Sequence, residues 1–169
     1  EQRIRYAIVG GVACSVRGRP RFTEDVDLVI DVPQLRLPGV LEKLRLAGFD
    51  CEAGQLIPEW TRTHMVQFQF RDVAIDWLKP VLPCLAHVID RAPAETWMGH
   101  TVRMAIAEDL IVMKLISMRT QDVADIESLL ATNRGRLNLD LVRSEIAAVI
   151  IDESVLMKFE ALVQEFYVP

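Results

Sequence analysis

Residues 6–32, YAIVGGVACSVRGRPRFTEDVDLVIDV, contain the pattern on which the fold depends. A short apolar run, residues 6–9, ends in Gly10 and Gly11, and residues 12–17 then carry apolar side chains at helical spacing. This pattern predicts a strand, a tight turn and a short helix. Glycine lets the backbone approach a ligand closely, and a helix N-terminus presents unpaired N–H groups and a positive dipole end to an anion. We therefore predict a phosphate site at this turn.

Residues 25–32 alternate strictly between two faces of a strand. The even-numbered residues are all apolar, so we expect that face to be buried. Asp25 and Asp27 project from the other face, where two ionised carboxylates would repel each other unless a cation lay between them. Oxygen-only ligands of this kind favour Mg²⁺, which binds through one or two carboxylates plus substrate phosphates. Asp27 also lies in mid-strand, where β propensity disfavours aspartate, and this argues against a purely structural role.

The combination of Gly10-Gly11, a short helix and Asp25-Val26-Asp27 on a strand resembles the signature of the polymerase-β-type nucleotidyltransferase superfamily. The string GGVACSVRGRPRFTEDVDLVI most resembles its small prokaryotic members, including AbiEii-type toxin nucleotidyltransferases. The resemblance implies transfer of a nucleoside monophosphate from an NTP to an acceptor hydroxyl, with two Mg²⁺ ions and with Gly10 and Gly11 cradling the β- and γ-phosphates. The alternative is an ordinary α/β domain with solvated aspartates on an edge strand.

A third carboxylate is expected on a later strand. Residues 64–78 alternate on both sides of Arg71-Asp72, which predicts a β-hairpin. Asp76 falls on the face of the second strand opposite Val73, Ile75 and Trp77. It matches, by type and order, the third carboxylate that the resemblance implies. Asp76 would then complete a second metal site or act as general base, beside Asp25 and Asp27 as catalytic metal ligands. Asp72 is the competitor if the register differs, although a turn is the usual place for an aspartate.

Further nucleotide-binding candidates lie near the carboxylates and in a later helix. Arg21 and Thr23 immediately precede Asp25. Lys114 lies in EDLIVMKLISMRTQDVADIESLL, which resembles a helical segment of the same toxin-type enzymes, in which a lysine reaches the triphosphate and a following aspartate lies near it. Asp122 and Asp125 both match that aspartate. The competing interpretation leaves Lys114 exposed at the apolar boundary of its helix, and Arg119 is an alternative phosphate contact.

The pattern over the whole chain predicts an α/β (α+β) nucleotidyltransferase fold with a mixed sheet of four to six strands and a helical C-terminal third. We divide the chain into a nucleotidyltransferase catalytic core, residues 1–105, and a helical part packed on it, residues 106–169. The strands are expected at 6–9, 26–32, 66–70 and 73–78, with a weak one at 49–54 and a small hairpin near 97–105. The helices are expected at 12–17, 40–47, 83–92, 107–118, 121–131, 137–150 and 153–166. Residues 57–63 are expected to be irregular.

Composition narrows the function classes. The chain has 169 residues, of which 51% are hydrophobic, and a net charge of −5; this suffices for a substantial core and argues against a wholly basic nucleic-acid footprint. No apolar run approaches the length of a membrane span. The three cysteines are far apart and lack metal-ligand spacing, as expected of reduced thiols in a cytoplasmic protein.

The acceptor is left open by the sequence. The candidates are an RNA such as tRNA, a protein and a small molecule, and an acidic chain fits a small acceptor slightly better than tRNA. The toxin resemblance also implies an antitoxin protein as a partner. The competing functions are a catalytically idle fold that serves as a binding module and an antibiotic-modifying nucleotidyltransferase.

Overall fold

The computed structural model describes residues 4–150 and 152–168. Its centre is a four-stranded mixed sheet in the order β1-β2-β4-β3, formed by β1 Arg5–Ile8, β2 Asp25–Asp31, β3 Met65–Phe70 and β4 Val73–Leu78. β2 runs antiparallel to β1 and parallel to β4, and β3 and β4 form the predicted hairpin. A separate small hairpin contains β5 Ala94–Trp97 and β6 His100–Arg103. The mixed α/β architecture is therefore confirmed.

The helices follow the predicted order, with one addition. They are α1 Gly10–Arg17, α2 Leu37–Leu46, α3 Ala53–Thr63, α4 Pro83–Arg91, α5 Ala107–Ser117, α6 Thr120–Thr132, α7 Leu139–Val149 and α8 Glu153–Leu162. A short 3-10 helix, Gln34–Arg36, precedes α2, and a π-helical turn, Val163–Tyr167, follows α8. The C-terminal third is helical, as predicted.

Two predictions for the segment between α2 and the hairpin are wrong. Within residues 49–54 only Asp50 pairs, through one isolated bridge to Gln69, and residues 57–63 belong to α3. The helix forms because Leu56 and Trp60, four residues apart, make one apolar stripe that is buried against the sheet. Pro58 lies inside α3 and removes one backbone donor, but the burial of this stripe outweighs that loss.

Both faces of the sheet are covered. α2 and α3 pack on the even-numbered face of β2, where Ile30 is buried, while α1 and α4 to α8 pack on the other face. Val29, on the same face as Asp25 and Asp27, is completely buried. The expectation that the even-numbered face is buried is thus correct. The odd-numbered face also contributes to a core, the second one, and the carboxylates lie at its edge.

That second core joins the two proposed parts of the chain. Ala7 and Val29 of the sheet belong to the same buried cluster as Leu110, Ile126 and Phe159 of the C-terminal helices. The division at residue 105 stays a prediction, and residues 1–3, 151 and 169 lie outside the described ones. The cysteines are buried and free, and among the described residues no helix combines the length and apolarity needed to cross a membrane.

Candidate active site

Three carboxylates converge where β2 and β4 run side by side. The parallel register places Asp27 directly opposite Asp76, and Asp25 precedes Asp27 by two residues on the same face. One oxygen from each of the three side chains lies within 4.8 Å of the other two. Asp72 is exposed in the turn between β3 and β4 and is not part of this cluster. Of the two competitors for the third carboxylate, Asp76 is therefore the one that the fold brings to Asp25 and Asp27.

The electrostatics of this cluster favour a cation. Burial, and then the negative charges of Asp25 and Asp76, raise the pKa of Asp27 to about 6. A hydrogen bond from the backbone N–H of Gly11 and the charge of Lys114 act in the opposite direction. Three carboxylates at this spacing form an oxygen-only donor set, which suits a hard cation such as Mg²⁺. The donor set thus fits the metal that the sequence predicts.

The two glycines bring the start of α1 against the cluster. Gly10 has a φ of +60°, and a Cβ atom placed there would lie 1.8 Å from Oδ2 of Asp27. A Cβ atom on Gly11 would lie 2.4 Å from Oγ1 of Thr23. Glycine is therefore needed at both positions for the helix to reach the carboxylates, a role that the sequence pattern did not predict. Phosphate binding by this turn stays a prediction.

The loop between α1 and β2 is fixed by side-chain hydrogen bonds. Thr23 donates from its hydroxyl to Oδ1 of Asp25 at 2.6 Å. Arg21 donates from Nε and Nη2 to the two carboxylate oxygens of Asp125 at 2.8 and 3.0 Å. The backbone of Arg21 is held at both its N–H and its carbonyl oxygen by the hydroxyl of Ser15. The predicted residues Arg21 and Thr23 thus lie beside the carboxylates in a fixed conformation.

Lys114 is buried rather than exposed, so the competing interpretation of this residue is wrong. Its Nζ atom lies 2.8 Å from Oδ1 of Asp122 and 2.9 Å from Oδ2 of Asp125. The sequence could not choose between these aspartates, and the structure pairs Lys114 with both. Asp122 also accepts hydrogen bonds from Ser117 Oγ at 2.8 Å and from the backbone N–H of Arg119 at 3.0 Å.

This buried network is ionised at neutral pH. Burial opposes the ionisation of Asp122 and Asp125, but hydrogen bonds from Arg119 and Lys114 to Asp122, and from Arg21 and Lys114 to Asp125, outweigh burial and lower both pKa values. Burial likewise opposes the charge of Lys114, and its two aspartate partners outweigh that effect and raise its pKa. Ion pairs of this kind hold the Lys114 ammonium group in a fixed position near the three carboxylates.

Two residues of the site were missed at the sequence level. Gln67 of β3 lies opposite Asp76 in the hairpin and donates from Nε2 to Oδ1 of Asp76 at 2.7 Å. Its alternation with the buried Val66 and Phe68 was the available signal, because it places a polar side chain on the face that carries Asp76. Ser15, which holds Arg21, carried no comparable signal.

A cavity of about 290 Å³ lies beside the Arg21–Asp125 pair, between the α1–β2 loop and α6. Pro20, Ala124 and Phe166 contribute apolar surface, and Arg19 and Glu127 contribute charge. The remaining lining residues are Arg21, Gln121, Asp125, Ser128 and Ala131. The loop that carries Arg21 and Thr23 therefore borders the carboxylate cluster on one side and a small mixed pocket on the other.

Comparison with known proteins supports the fold. No protein-family model matches the chain, and no curated protein matches it significantly. Among solved structures, the chain is similar to an antigenic nucleotidyltransferase-like protein from Paracoccidioides brasiliensis, with a TM-score of 0.56, 19% sequence identity and coverage of 95% of this chain and 84% of that one. It is also similar to the antibiotic-resistance factor ANT(2'')-Ia, with a TM-score of 0.54, 16% identity and coverage of 96% and 87%. The chain thus has a nucleotidyltransferase fold, and the finer resemblance to AbiEii-type toxins stays a prediction.

Proposed function

We propose that this protein is a Mg²⁺-dependent nucleotidyltransferase that moves a nucleoside monophosphate from an NTP to an acceptor hydroxyl. The observation that carries the proposal is the convergence of Asp25, Asp27 and Asp76 within 4.8 Å on adjacent strands of a nucleotidyltransferase fold. A catalytically idle fold has no need for three mutually repelling carboxylates, one of which has its pKa raised to about 6.

The three carboxylates divide the work by position. Asp25 and Asp27 would hold the metal bound to the triphosphate, and Asp76 would complete a second metal site for the acceptor hydroxyl. Bound Mg²⁺ supplies charge neutralisation at the α-phosphate and lowers the pKa of the attacking hydroxyl. Asp76 accepts the proton of that hydroxyl, and Gln67 orients Asp76 through its 2.7 Å hydrogen bond. Thr23 does the same for Asp25.

The nucleotide is bound by groups around the α1 N-terminus. Gly10 and Gly11 bring the backbone close to the triphosphate, and Arg21 and Lys114 supply positive charge on one side. Lys114 has three N–H donors, of which Asp122 and Asp125 take two among the described residues. We assign the third donor to a phosphate oxygen of the nucleotide.

The exposed guanidinium of Arg119 is a second candidate contact for phosphate. Its side chain is 74% exposed and is held by Asp122, and the charges of Asp25 and Asp27 act on it. The same two aspartates would hold Mg²⁺ with the triphosphate, so we assign Arg119 to the phosphate charge that the metal brings to this site.

A small hydroxylated acceptor is preferred to tRNA. The net charge of −5 disfavours a polyanionic acceptor, and the similar fold of ANT(2'')-Ia belongs to an antibiotic-resistance factor. A toxin that is neutralised by an antitoxin protein in the cytoplasm is the alternative. In either case residues 1–105 carry the metal ligands, and residues 106–169 supply Lys114 and Asp125.

Label transfer tests the proposal directly. The purified chain is incubated with each α-labelled NTP, Mg²⁺ and a total cell extract, which is then separated into RNA, protein and small molecules. We expect label in one fraction, lost with EDTA and with Asp76→Asn, and retained with Asp72→Asn. Absence of transfer with Mg²⁺ and with Mn²⁺, for all four nucleotides, would refute the proposed activity.

A further inference from the structure

Phe22 is an exposed aromatic residue at the edge of the candidate active site. Phe22 is 82% exposed, although it lies between Arg21 and Thr23, which both form hydrogen bonds with acidic side chains. We propose that the Phe22 ring is a stacking platform for a flat ring of a ligand bound at the carboxylate cluster. This inference rests on the proposed nucleotidyl transfer and names a ligand contact within it.

The backbone on both sides of Phe22 is fixed. Arg21 is held by Asp125 and Ser15 and also donates from Nη1 to the carbonyl oxygen of Phe22 at 3.1 Å. Thr23 is held by Asp25. Earlier in the same loop, the backbone N–H of Arg19 donates to Ser128 Oγ at 2.7 Å. Here hydrogen bonds on both sides of Phe22 hold the segment that presents the ring to solvent.

The position of Phe22 is within reach of the reacting groups. Consecutive Cα atoms are about 3.8 Å apart, and Thr23 contacts the Asp25 carboxylate directly, so the Cα atom of Phe22 lies within about 9 Å of that carboxylate. A nucleotide whose phosphate is held at the carboxylates extends its base over a comparable distance.

The chemistry of the ring defines the ligand. An aromatic face stacks on nucleobases and on other planar rings with little regard for their hydrogen-bonding edges, so Phe22 contributes affinity without selecting one base. The planar group has two possible sources, the base of the NTP or a ring of the acceptor. Both involve the same contact, and binding and transfer measurements separate them.

The test compares parent, Phe22→Leu, Phe22→Trp and Leu35→Ala. Leu35 is 98% exposed beside α2, on the opposite side of the sheet, and so controls for loss of an exposed apolar side chain. Calorimetric titrations with Mg²⁺ use two probes: the α,β-methylene analogues of the four NTPs, and inorganic tripolyphosphate, which lacks a base. Label transfer to diluted cell extract is measured in parallel, and thermal melts verify that each variant folds.

If the ring stacks on the NTP base, Phe22→Leu weakens the binding of the NTP analogues by about 5- to 100-fold and leaves the binding of tripolyphosphate unchanged. If it stacks on the acceptor, analogue affinity is unchanged and transfer at limiting extract falls by a similar factor. In both cases Phe22→Trp retains parental behaviour. Parental values for Phe22→Leu in both assays, or equal losses in Leu35→Ala, would overturn the inference while the proposed function stands. A parent that binds neither probe would instead refute the proposed function, and the inference with it.

Discussion

Replacing Asp27 with Asn separates the function of the carboxylate cluster from its effect on folding stability. Asn has the same shape and can still accept the hydrogen bond from Gly11, but it carries no charge. The difference between the ordinary pKa of 3.8 and the value of about 6 in the folded protein corresponds to about 3 kcal/mol of destabilisation when Asp27 is ionised. Water reaches this half-buried group, so we expect a gain in the free energy of unfolding of about 1–3 kcal/mol in the metal-free variant.

The gain depends on pH with a definite sign. Because the pKa of Asp27 is raised on folding, first by burial and then by Asp25 and Asp76, the folded state binds the proton more tightly than the unfolded state. The Asp27 contribution to stability is therefore fully present below about pH 4 and is lost as the pH rises through about 6. Parent and Asp27→Asn should melt together near pH 4 and separate by roughly 3–10 °C at pH 7.5.

Thermal melts and label-transfer assays on the same samples test both the repulsion argument and the metal assignment. Mg²⁺ should raise the melting temperature of the parent more than that of Asp27→Asn, and transfer should be abolished in the variant. Asp31→Asn is a matched control, since Asp31 lies on the same face of β2 but is exposed and outside the cluster. If Asp27→Asn melts several degrees below the parent at pH 7.5 without metal, the repulsion argument is wrong. Parental transfer by the variant would refute the metal assignment.

Three further substitutions test the surrounding structure. Gly10→Ala places a Cβ atom 1.8 Å from the Asp27 carboxylate at a φ of +60°, so transfer should be lost and the unfolding free energy should fall by at least about 1 kcal/mol; an active variant of parental stability would contradict this. Lys114→Met leaves two buried aspartates short of a partner and should cost about 3–5 kcal/mol in denaturant unfolding, whereas a cost below about 1 kcal/mol would show that Arg21 and Arg119 compensate. Asp72→Asn should change stability by less than about 0.5 kcal/mol and leave transfer intact; loss of transfer would reopen the choice of Asp76.

The strand faces of the three candidate metal ligands could be predicted because a face depends only on strand period and on order along the chain. Strict alternation in residues 25–32 fixed the common face of Asp25 and Asp27, and the hairpin pattern fixed the face of Asp76. Which strands are neighbours is a matter of tertiary structure, and only the parallel pairing of β2 with β4 brings Asp76 to Asp27.

The errors arose where local signals conflicted with packing. Pro58 suggested an irregular segment, but the burial of Leu56 and Trp60 stabilises α3 around it. Lys114 could be assigned either an exposed or a buried position from helical spacing, since the aspartates that pair with it come from a different helix. Neither outcome can be derived from a short window of sequence, because each depends on contacts between separate elements.

The buried network of Lys114, Asp122 and Asp125 places charged groups of the helical part near the carboxylate cluster. Near the three carboxylates, Lys114, Arg21 and Arg119 carry three positive charges, and Asp122 and Asp125 carry two negative ones. The aspartates fix the cations in place but also reduce their combined charge, so the carboxylate cluster leaves the region negative overall. A triphosphate alone would be repelled by such a region. Divalent cations would reverse that balance, so the proposed function predicts that the nucleotide enters together with its metal, beside cations that α5 and α6 already hold in place.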